Sequence, residues 1–281
     1  MPSDLLSGKF KTSASVTDTG KKRENNEDCV LVLENAGCYA VSDGMGGGAA
    51  GEIASSTVIT YIRNAVSGAP VLPETRRERF REAVYAAHNA IRAYAEKKEY
   101  HAMGATLAAL LLNPWDPSTA DIYHAGDSRV YRLRGKRLEC LTADHTVGNT
   151  SGLPEHQLPK GMSGLLSNVV GIPSGFFLAN TAAEIRKNDV FLICSDGLYR
   201  QVPETEMTAA LQKENDLKAV LASWVAYANE REGIDNLSAI VIRFGALPGI
   251  YVPSAEEIQQ NQQPDPDIPS ASDAEQGETI L

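Results

Sequence analysis

The chain has 281 residues, a formal net charge of −10 at pH 7 and an apolar fraction of 43%. This length and composition can fill the core of one large domain, and the lack of a basic surplus argues against a nucleic-acid-binding protein. An acidic protein that binds phosphate needs positive charge delivered locally, which divalent metal ions held by carboxylates would supply.

Strands and helices are predicted in separate groups along the chain. Strand patterns bounded by turn residues lie at 28–34, 37–41, 106–112, 120–124, 130–133, 190–194 and 237–244. Helical periodicity lies at 50–66, 73–98, 204–213 and 217–231. This order lacks the strand–helix alternation of a doubly wound parallel sheet, and it favours an α+β sandwich of sheets with helices outside.

Two segments lack such patterns. Residues 146–174 are rich in Gly, Pro, Ser and Asn, which predicts a long surface excursion of a kind that is often functional. After about Ala246 the composition changes to Pro, Gln, Ser, Asp and Glu. Such a segment cannot bury enough apolar surface to become ordered, so we expect one folded domain over 1–246 and a disordered acidic tail over 247–281.

The four cysteines are expected to be free thiols inside the protein. They are scattered without a C-x-x-C pair, which argues against disulfides and zinc ligands: Cys29, Cys38, Cys140 and Cys194. No charged-then-apolar leader opens the chain, and no apolar run is long enough to span a bilayer. We therefore expect a soluble protein of the reducing cytoplasm, with no membrane span and no nucleic-acid partner.

Aspartates stand at the ends of the predicted strands. Asp43, Asp127 and Asp196 each follow an apolar run, and Asp235 opens the last strand. A single aspartate there is a common turn former, but strand ends that meet at one sheet edge would bring the carboxylates together, which is costly unless a cation neutralises them. Oxygen ligands select hard ions such as Mg²⁺ or Mn²⁺ over zinc. The pattern indicates metal-assisted hydrolysis by a water activated between two ions.

Seven short motifs occur in order along the chain. They are Arg23-Glu-Asn-Asn-Glu27-Asp28, Val41-Ser-Asp43-Gly44-Met-Gly-Gly, Met103-Gly-Ala-Thr106, Gly126-Asp127-Ser128-Arg129, Leu141-Thr-Ala-Asp144-His145, Cys194-Ser-Asp196-Gly197 and Asp235-Asn236. Together they resemble the metal-dependent protein phosphatase family (type 2C) over roughly residues 14–244. The resemblance implies a four-layer αββα sandwich, with two central, mostly antiparallel sheets flanked by helices and a metal site at one edge. It also makes residues 1–246 a phosphatase catalytic domain with a flap-like excursion at 146–174.

The resemblance implies a bacterial-type serine/threonine phosphatase that holds two Mn²⁺ or Mg²⁺ ions. Asp43 would bridge the two ions. Asp196 and Asp235 would complete one of them, and the carbonyl of Gly44 would join the other. Asp127 with Asp196 resembles the optional third metal site of bacterial members.

Two further residues are implied at the site. Arg23 resembles the phosphate clamp, since a planar guanidinium can hold two phosphoryl oxygens, although Lys21 and Lys22 beside it leave open a merely basic surface. Glu27 would contact a metal-bound water. The implied partners are phosphoserine and phosphothreonine proteins, together with a Ser/Thr kinase whose action the enzyme opposes, and we expect a monomer.

The sequence also departs from the family pattern. Bacterial members often have a histidine where Gly48 stands, and eukaryotic members have one in place of Met45. No general acid is therefore visible next to Asp43, and His145 could either serve as one or have a capping or core role. Residues 165–171 also differ from the family's segment, which leaves the substrate preference open.

Three other functions were weighed. Residues 44–49 satisfy G-x-G-x-x-A, the pattern of a dinucleotide-binding enzyme. Against this function, Asp43 would lie beside the pyrophosphate of the dinucleotide, and no strand near 63–68 ends in an acidic residue that could bind its ribose. A serine hydrolase is disfavoured because Ser195 lacks the G-x-S-x-G elbow. A phosphatase-like fold that only binds phosphoprotein is the main alternative, and the retained aspartates weigh against it.

Overall fold

A computed structural model describes residues 6, 10–47, 49–67, 72–100, 102–173, 175–252 and 254. The strands are β1 Lys11–Asp18, β2 Asp28–Leu33, β3 Cys38–Met45, β4 Gly104–Ala105, β5 Leu107–Leu112, β6 Thr119–Ala125, β7 Arg129–Arg134, β8 Arg137–Cys140, β9 Ala179–Glu184, β10 Val190–Cys194 and β11 Leu237–Phe244. The α-helices are α1 Ala49–Val66, α2 Pro73–Lys98, α3 Val147–Thr150, α4 Asp196–Tyr199, α5 Glu204–Lys213 and α6 Leu217–Glu230.

The strands form two sheets in which all neighbouring strands are antiparallel. One sheet has the order β1-β11-β10-β7-β8, and the other has the order β2-β3-β5-β6-β9, with β4 paired to β3. Side chains alternate between the two faces of each strand. In β11, for example, Ile240 and Ile242 face the other sheet while Ala239 and Val241 face the helices.

Three buried clusters separate four layers. One lies between the two sheets, a second joins the β2–β9 sheet to α1 and α2, and a third joins the β1–β8 sheet to α5 and α6. Phe80 of α2 stacks on Tyr123 of β6 with ring centroids 4.5 Å apart, and both side chains are fully buried. Burial of one such side chain contributes about 1.5–3 kcal/mol. The predicted α+β, αββα sandwich is therefore confirmed.

All four predicted helices and all seven predicted strands are present, with bounds that differ by a few residues. Three of the strands that the sequence did not predict, β1, β8 and β9, are edge strands. An edge strand contacts only one neighbour, and these three carry mixed or polar sequences such as ANTAAE in β9. Their pairing is therefore set by the neighbouring strand more than by their own apolar pattern.

The placement of Asp43 differs from the prediction of a strand-end turn. Strand β3 continues through Asp43 to Met45, because Gly44 and Met45 pair with β4. The other three aspartates lie where the sequence placed them. Asp127 follows β6, Asp196 follows β10, and Asp235 precedes β11.

The predicted excursion is tied to the domain at several points. Ala105 forms a bridge with Val170, and the N–H of Val147 donates to the carbonyl of Leu165 at 2.8 Å. Beyond β11, the N–H of Tyr251 donates to the Trp115 carbonyl at 2.8 Å, and the two rings lie 5.3 Å apart. Most of the predicted tail, residues 255–281, lies outside the described residues.

Two expectations from composition can be compared with the structure. Among the helices of the described part of the chain, none has the length and apolar content needed to cross a membrane. The four cysteines are free thiols, as expected. Cys38 and Cys194 are buried and Cys29 is partly buried. The expected burial is wrong for Cys140, which is exposed because it lies at the end of the edge strand β8.

Candidate active site

Asp43 lies at the centre of a group of carboxylates. It pairs in register with Asp28 of β2. Burial, together with the charges of Asp28, Asp196, Asp127 and Asp235, raises the pKa of Asp43 well above its ordinary value. Asp43 in turn affects the pKa of Asp196, so the two carboxyl groups lie close together. Buried carboxyl groups that interact in this way are stabilised when they share a proton or a cation.

Two hydroxyl groups fix the backbone around Asp43. The N–H of Asp43 donates to Thr106 Oγ1 at 3.0 Å, and the N–H of Thr106 donates to the Asp43 carbonyl at 2.8 Å. The Thr106 hydroxyl lies 2.6 Å from that of Ser128. These contacts connect β3 to the turn that carries Asp127, which explains the place of Thr106 in its motif.

Glycine allows the backbone after Asp43 to approach Glu27 closely. The N–H of Gly44 donates to the Glu27 carbonyl at 3.0 Å. A Cβ on Gly44 would collide with the carbonyl of Gly51, and a Cβ on Gly51 would lie 2.6 Å from the Glu27 carboxyl carbon. Any larger residue at either position would displace Glu27 from the site.

Burial raises the pKa of Glu27, and the charges of Asp235 and Glu52 raise it further while Arg23 opposes them. The side chain of Glu27 thus adds to the negative charge of the site. Arg23 Nη2 lies 2.9 Å from Asp235 Oδ1 at the exposed side of this group. Its side chain is 49% exposed, so the guanidinium can exchange Asp235 for another anion at small cost.

Asn236 connects the loops that carry Glu27 and Asp235. Its Oδ1 accepts the N–H of Glu27 at 2.9 Å, and its Nδ2 donates to the carbonyls of Thr19 at 2.9 Å and Asn25 at 3.0 Å. Its own N–H donates to Asp235 Oδ1 at 2.9 Å. The side chain is almost fully buried, so these bonds fix both predicted metal residues relative to each other.

Asp28 is a buried acidic residue behind Asp43. Ser195 Oγ donates to Asp28 Oδ2 at 2.7 Å, and Ser195 Oγ accepts the N–H of Ser238 at 3.0 Å. Burial raises the pKa of Asp28 to about 6, and the charges of Asp196 and Asp235 act in the same direction. Asp28 Oδ1 has no hydrogen-bond partner among the described residues.

Arg200 lies between Asp127 and Asp196. Its Nη2 is 3.1 Å from Asp127 Oδ2, and its Nε is 3.1 Å from Asp196 Oδ2. Burial raises the pKa of both carboxyl groups, to about 6 for Asp196, whereas Arg200 opposes this rise in each. Arg200 belongs to none of the seven motifs, although its spacing of four residues from Asp196 is one that brings side chains together on a helical turn.

His145 has a structural environment. Its Nδ1 accepts the N–H of Gly126 at 3.2 Å and lies 2.9 Å from Nδ2 of Asn168, and its ring stacks on His124 with centroids 4.6 Å apart. Burial, with the neighbouring His124, lowers the pKa of His145 to about 4. A neutral, buried imidazole of this kind positions the turn before Asp127. This environment favours a structural role for His145 in the core over a role as a general acid.

The donor set fits hydrated hard divalent ions. The acidic side chains around Asp43 offer only oxygen. Both the unpartnered Oδ1 of Asp28 and the like charges that raise the pKa of Asp43 indicate a need for positive charge. Within the described residues, no three His, Cys, Asp or Glu side chains are arranged to hold an ion by themselves. Mg²⁺ usually binds one or two carboxylates and keeps several waters, so such a set is sufficient.

Comparisons with known proteins identify the family of this chain. The family profile "Protein phosphatase 2C" matches residues 20–241. The serine/threonine phosphatase stp of Listeria welshimeri is 30% identical over 80% of this chain and 93% of its own length. The structure of PppA from Pseudomonas aeruginosa superposes with a TM-score of 0.75 and 30% identity, over 84% of this chain and 98% of that one.

A further structure contains metal. The catalytic domain of the serine/threonine protein phosphatase PstP, in complex with two manganese ions, superposes with a TM-score of 0.70 and 30% identity, over 84% of this chain and 98% of that one. The matched region spans all of the elements that carry the carboxylate group from Glu27 to Asp235. The chain therefore belongs to the protein phosphatase 2C family.

Proposed function

We propose that this serine/threonine protein phosphatase hydrolyses phosphoserine and phosphothreonine in proteins with a water molecule activated between two divalent metal ions. The observation that carries the proposal is the group of carboxylates around Asp43, in which Asp28 pairs with it in register and the charges of Asp196, Asp127 and Asp235 reach it. Such a group is stabilised when a cation binds it. The relative PstP, whose structure contains two manganese ions, supports the choice of Mn²⁺, and Mg²⁺ has the same ligand preference.

The chain's own residues have distinct roles in this proposal. Asp43, Asp196, Asp235 and the carbonyl of Gly44 would hold the two ions, with Asp43 as the ligand common to both. When bound, the ions supply the positive charge that lowers the pKa of a water and stabilises the phosphoryl oxygens. Glu27, which lies beside Gly44, holds a water of the site through a hydrogen bond.

Arg23 binds the phosphate of the substrate. Its guanidinium is half-exposed and already paired with a single oxygen of Asp235, so a phosphoryl group can take its place with two parallel hydrogen bonds. The water oxygen forms a bond to phosphorus as the bond from phosphorus to the serine or threonine oxygen breaks, and the attacking water gives up one proton to the surrounding water. The leaving oxygen takes a proton from water, because His145 is buried in a structural role.

A cavity of about 690 Å³ lies beside Met45, and none of the carboxylates of the site lines it. Met103, Val169 and Ile172 supply an apolar wall, and Arg92 lies on the lining as a charged group. Met45 follows Gly44 directly, which makes this cavity a candidate for binding residues that flank the phosphorylated one. We propose that a Ser/Thr kinase supplies the phosphorylated proteins and that the enzyme works as a monomer in the cytoplasm.

A binding module without activity is the second candidate, and one assay separates the two. Purified protein is treated with a chelator, and phosphate released from a phosphothreonine peptide is measured with and without added Mn²⁺. We expect release only with Mn²⁺, and its loss in Asp43→Asn and Asp235→Asn. Asp216→Asn is the matched control, because Asp216 is an exposed N-cap at which asparagine also accepts the N–H of Lys218.

Release that does not depend on Mn²⁺, or wild-type release by Asp43→Asn, would contradict the proposal. Peptide binding without release by the wild-type protein would support the binding module instead.

A further inference from the structure

The guanidinium of Arg200 bridges the two carboxylates to which the sequence resemblance assigned a third metal ion. Nη2 and Nε of Arg200 contact different aspartates, each at 3.1 Å. The side chain of Asp127 is 6% exposed and that of Asp196 is 14% exposed, so neither has much water to screen its charge. A positive group between them therefore has a strong effect.

The local structure holds Arg200 in this position. Helix α4 makes a single turn from Asp196 to Tyr199, and the N–H of Arg200 donates to the Asp196 carbonyl at 3.0 Å. The Tyr199 hydroxyl donates to the Asp127 carbonyl at 3.0 Å. Both ends of the bridge are therefore tied to the same turn.

A second arginine fixes Tyr199 itself. The guanidinium carbon of Arg129 lies 3.6 Å from the centre of the Tyr199 ring. Arg129 also donates two hydrogen bonds to Asp144, from Nε at 2.9 Å and from Nη2 at 2.7 Å. This bidentate pair is rigid, so the ring and the residue that follows it have little freedom to move away.

A divalent ion and the guanidinium cannot both occupy the space between Asp127 and Asp196 at low cost. Each is positive, and like charges at short range repel; the guanidinium is 52% exposed, but the two carboxylates for which the charges compete are shielded from water. The guanidinium is joined to the chain, so its effective concentration at the two carboxylates is high at any metal concentration.

We infer that Arg200 is a built-in cation that takes the position of a third metal ion between Asp127 and Asp196, so that this enzyme binds two ions instead of three. The inference rests on the proposed two-ion site around Asp43. It replaces the expectation that Asp127 is a metal ligand with a role as the partner of Arg200.

The test counts bound ions directly. Metal-free protein is titrated with Mn²⁺, and free Mn²⁺ is measured by electron paramagnetic resonance. We expect the wild-type protein to bind two ions and Arg200→Gln to bind three, the third at least tenfold more tightly than any further ion binds to the wild type. Arg200→Gln combined with Asp127→Asn should return to two. Arg137→Gln is the matched control, because Arg137 is 81% exposed and pairs only with Glu139 among the described ion pairs.

The outcomes distinguish this inference from the proposed function. Two ions in both the wild type and Arg200→Gln, or three in the wild type, would overturn the role of Arg200 and leave the two-ion site intact. A wild type that binds no Mn²⁺ would overturn the proposed function and this inference together. Arg200→Ser removes the same charge and provides the measurement if the glutamine variant does not fold.

Discussion

Asn236→Ala should destabilise the protein and weaken its metal site together. The substitution leaves the N–H of Glu27 and the carbonyls of Thr19 and Asn25 without their partner. Each lost hydrogen bond costs about 0.5–1.5 kcal/mol, and a buried unpaired group costs more. Since the bond to Glu27 is buried and the other two are partly buried, we expect a loss of roughly 2–4 kcal/mol in the free energy of unfolding.

The metal effect follows from the same bonds. Without the side chain, the Glu27 segment is no longer fixed relative to Asp235, so two residues proposed to act at the ions lose their common anchor. We expect the Mn²⁺ concentration for half-maximal activity to rise about tenfold. At saturating Mn²⁺ the variant should recover part of the wild-type activity. Urea unfolding of the metal-free protein and a Mn²⁺ titration of phosphatase activity measure the two effects separately.

Asn229→Ala is the control for this experiment. Asn229 donates one partly buried hydrogen bond, to Asp18 Oδ1 at 3.2 Å, so its removal should cost only about 0.5–1.5 kcal/mol and leave the Mn²⁺ dependence unchanged. If Asn236→Ala lost less than about 1 kcal/mol and kept the wild-type Mn²⁺ dependence, the role given to this side chain would be refuted.

Three further predictions concern charge, substrate and the chain end. Burial raises the pKa of Asp28 and of Asp196 to about 6, so each of these groups holds more protons in the folded than in the unfolded state between about pH 4 and pH 6. Each should contribute a loss of up to about 3 kcal/mol as the pH of the metal-free protein rises through this range, opposite in sign to the contribution of His145, whose pKa is lowered to about 4. Asp28→Asn should remove its share of the loss, and a change in urea midpoint from pH 4.5 to 6.5 in chelator that is equal in this variant and the wild type would speak against it. Arg23→Ala should raise KM about tenfold or more with a smaller effect on kcat, because a side chain that holds the phosphate in both the ground state and the transition state contributes uniform binding. Unchanged kinetics with phosphopeptides would show that Arg23 is only part of a basic surface. Truncation after Ala246 should leave hydrolysis of a small phosphate ester unchanged. It should lower the free energy of unfolding by roughly 1–2 kcal/mol, because the packing of Tyr251 on Trp115 is lost. An unchanged Tm would show that this packing contributes nothing.

The central strands and the long helices could be predicted because each carries its own apolar pattern. Helix α2 was predicted with its bounds, since Phe80, Val84, Ala87 and Ile91 recur at helical spacing. Edge strands such as β9 could not be predicted, because their position depends on pairing with a strand that is distant in the sequence. The extension of β3 through Asp43 was missed for the same reason, since it depends on pairing with β4.

The sequence identified most residues of the candidate site, but it identified fewer of the contacts that hold them in place. The aspartates were recognised because the seven motifs occur together, and the structure brings Asp43, Asp127, Asp196 and Asp235 within range of one another's charges. The contacts that position them were hidden, because a hydrogen bond such as Ser195 to Asp28 joins residues far apart in the chain. Arg200 was missed because no motif contains it, and only its distances to two carboxylates reveal its effect.

The most direct test of the two-ion site is a crystal structure of the protein grown with Mn²⁺, with anomalous difference density measured above the manganese absorption edge. We expect two strong peaks joined by the Asp43 carboxylate. Asp196 and Asp235 should bind one of them, and the Gly44 carbonyl the other. A single peak, or two peaks that Asp43 does not touch, would contradict it.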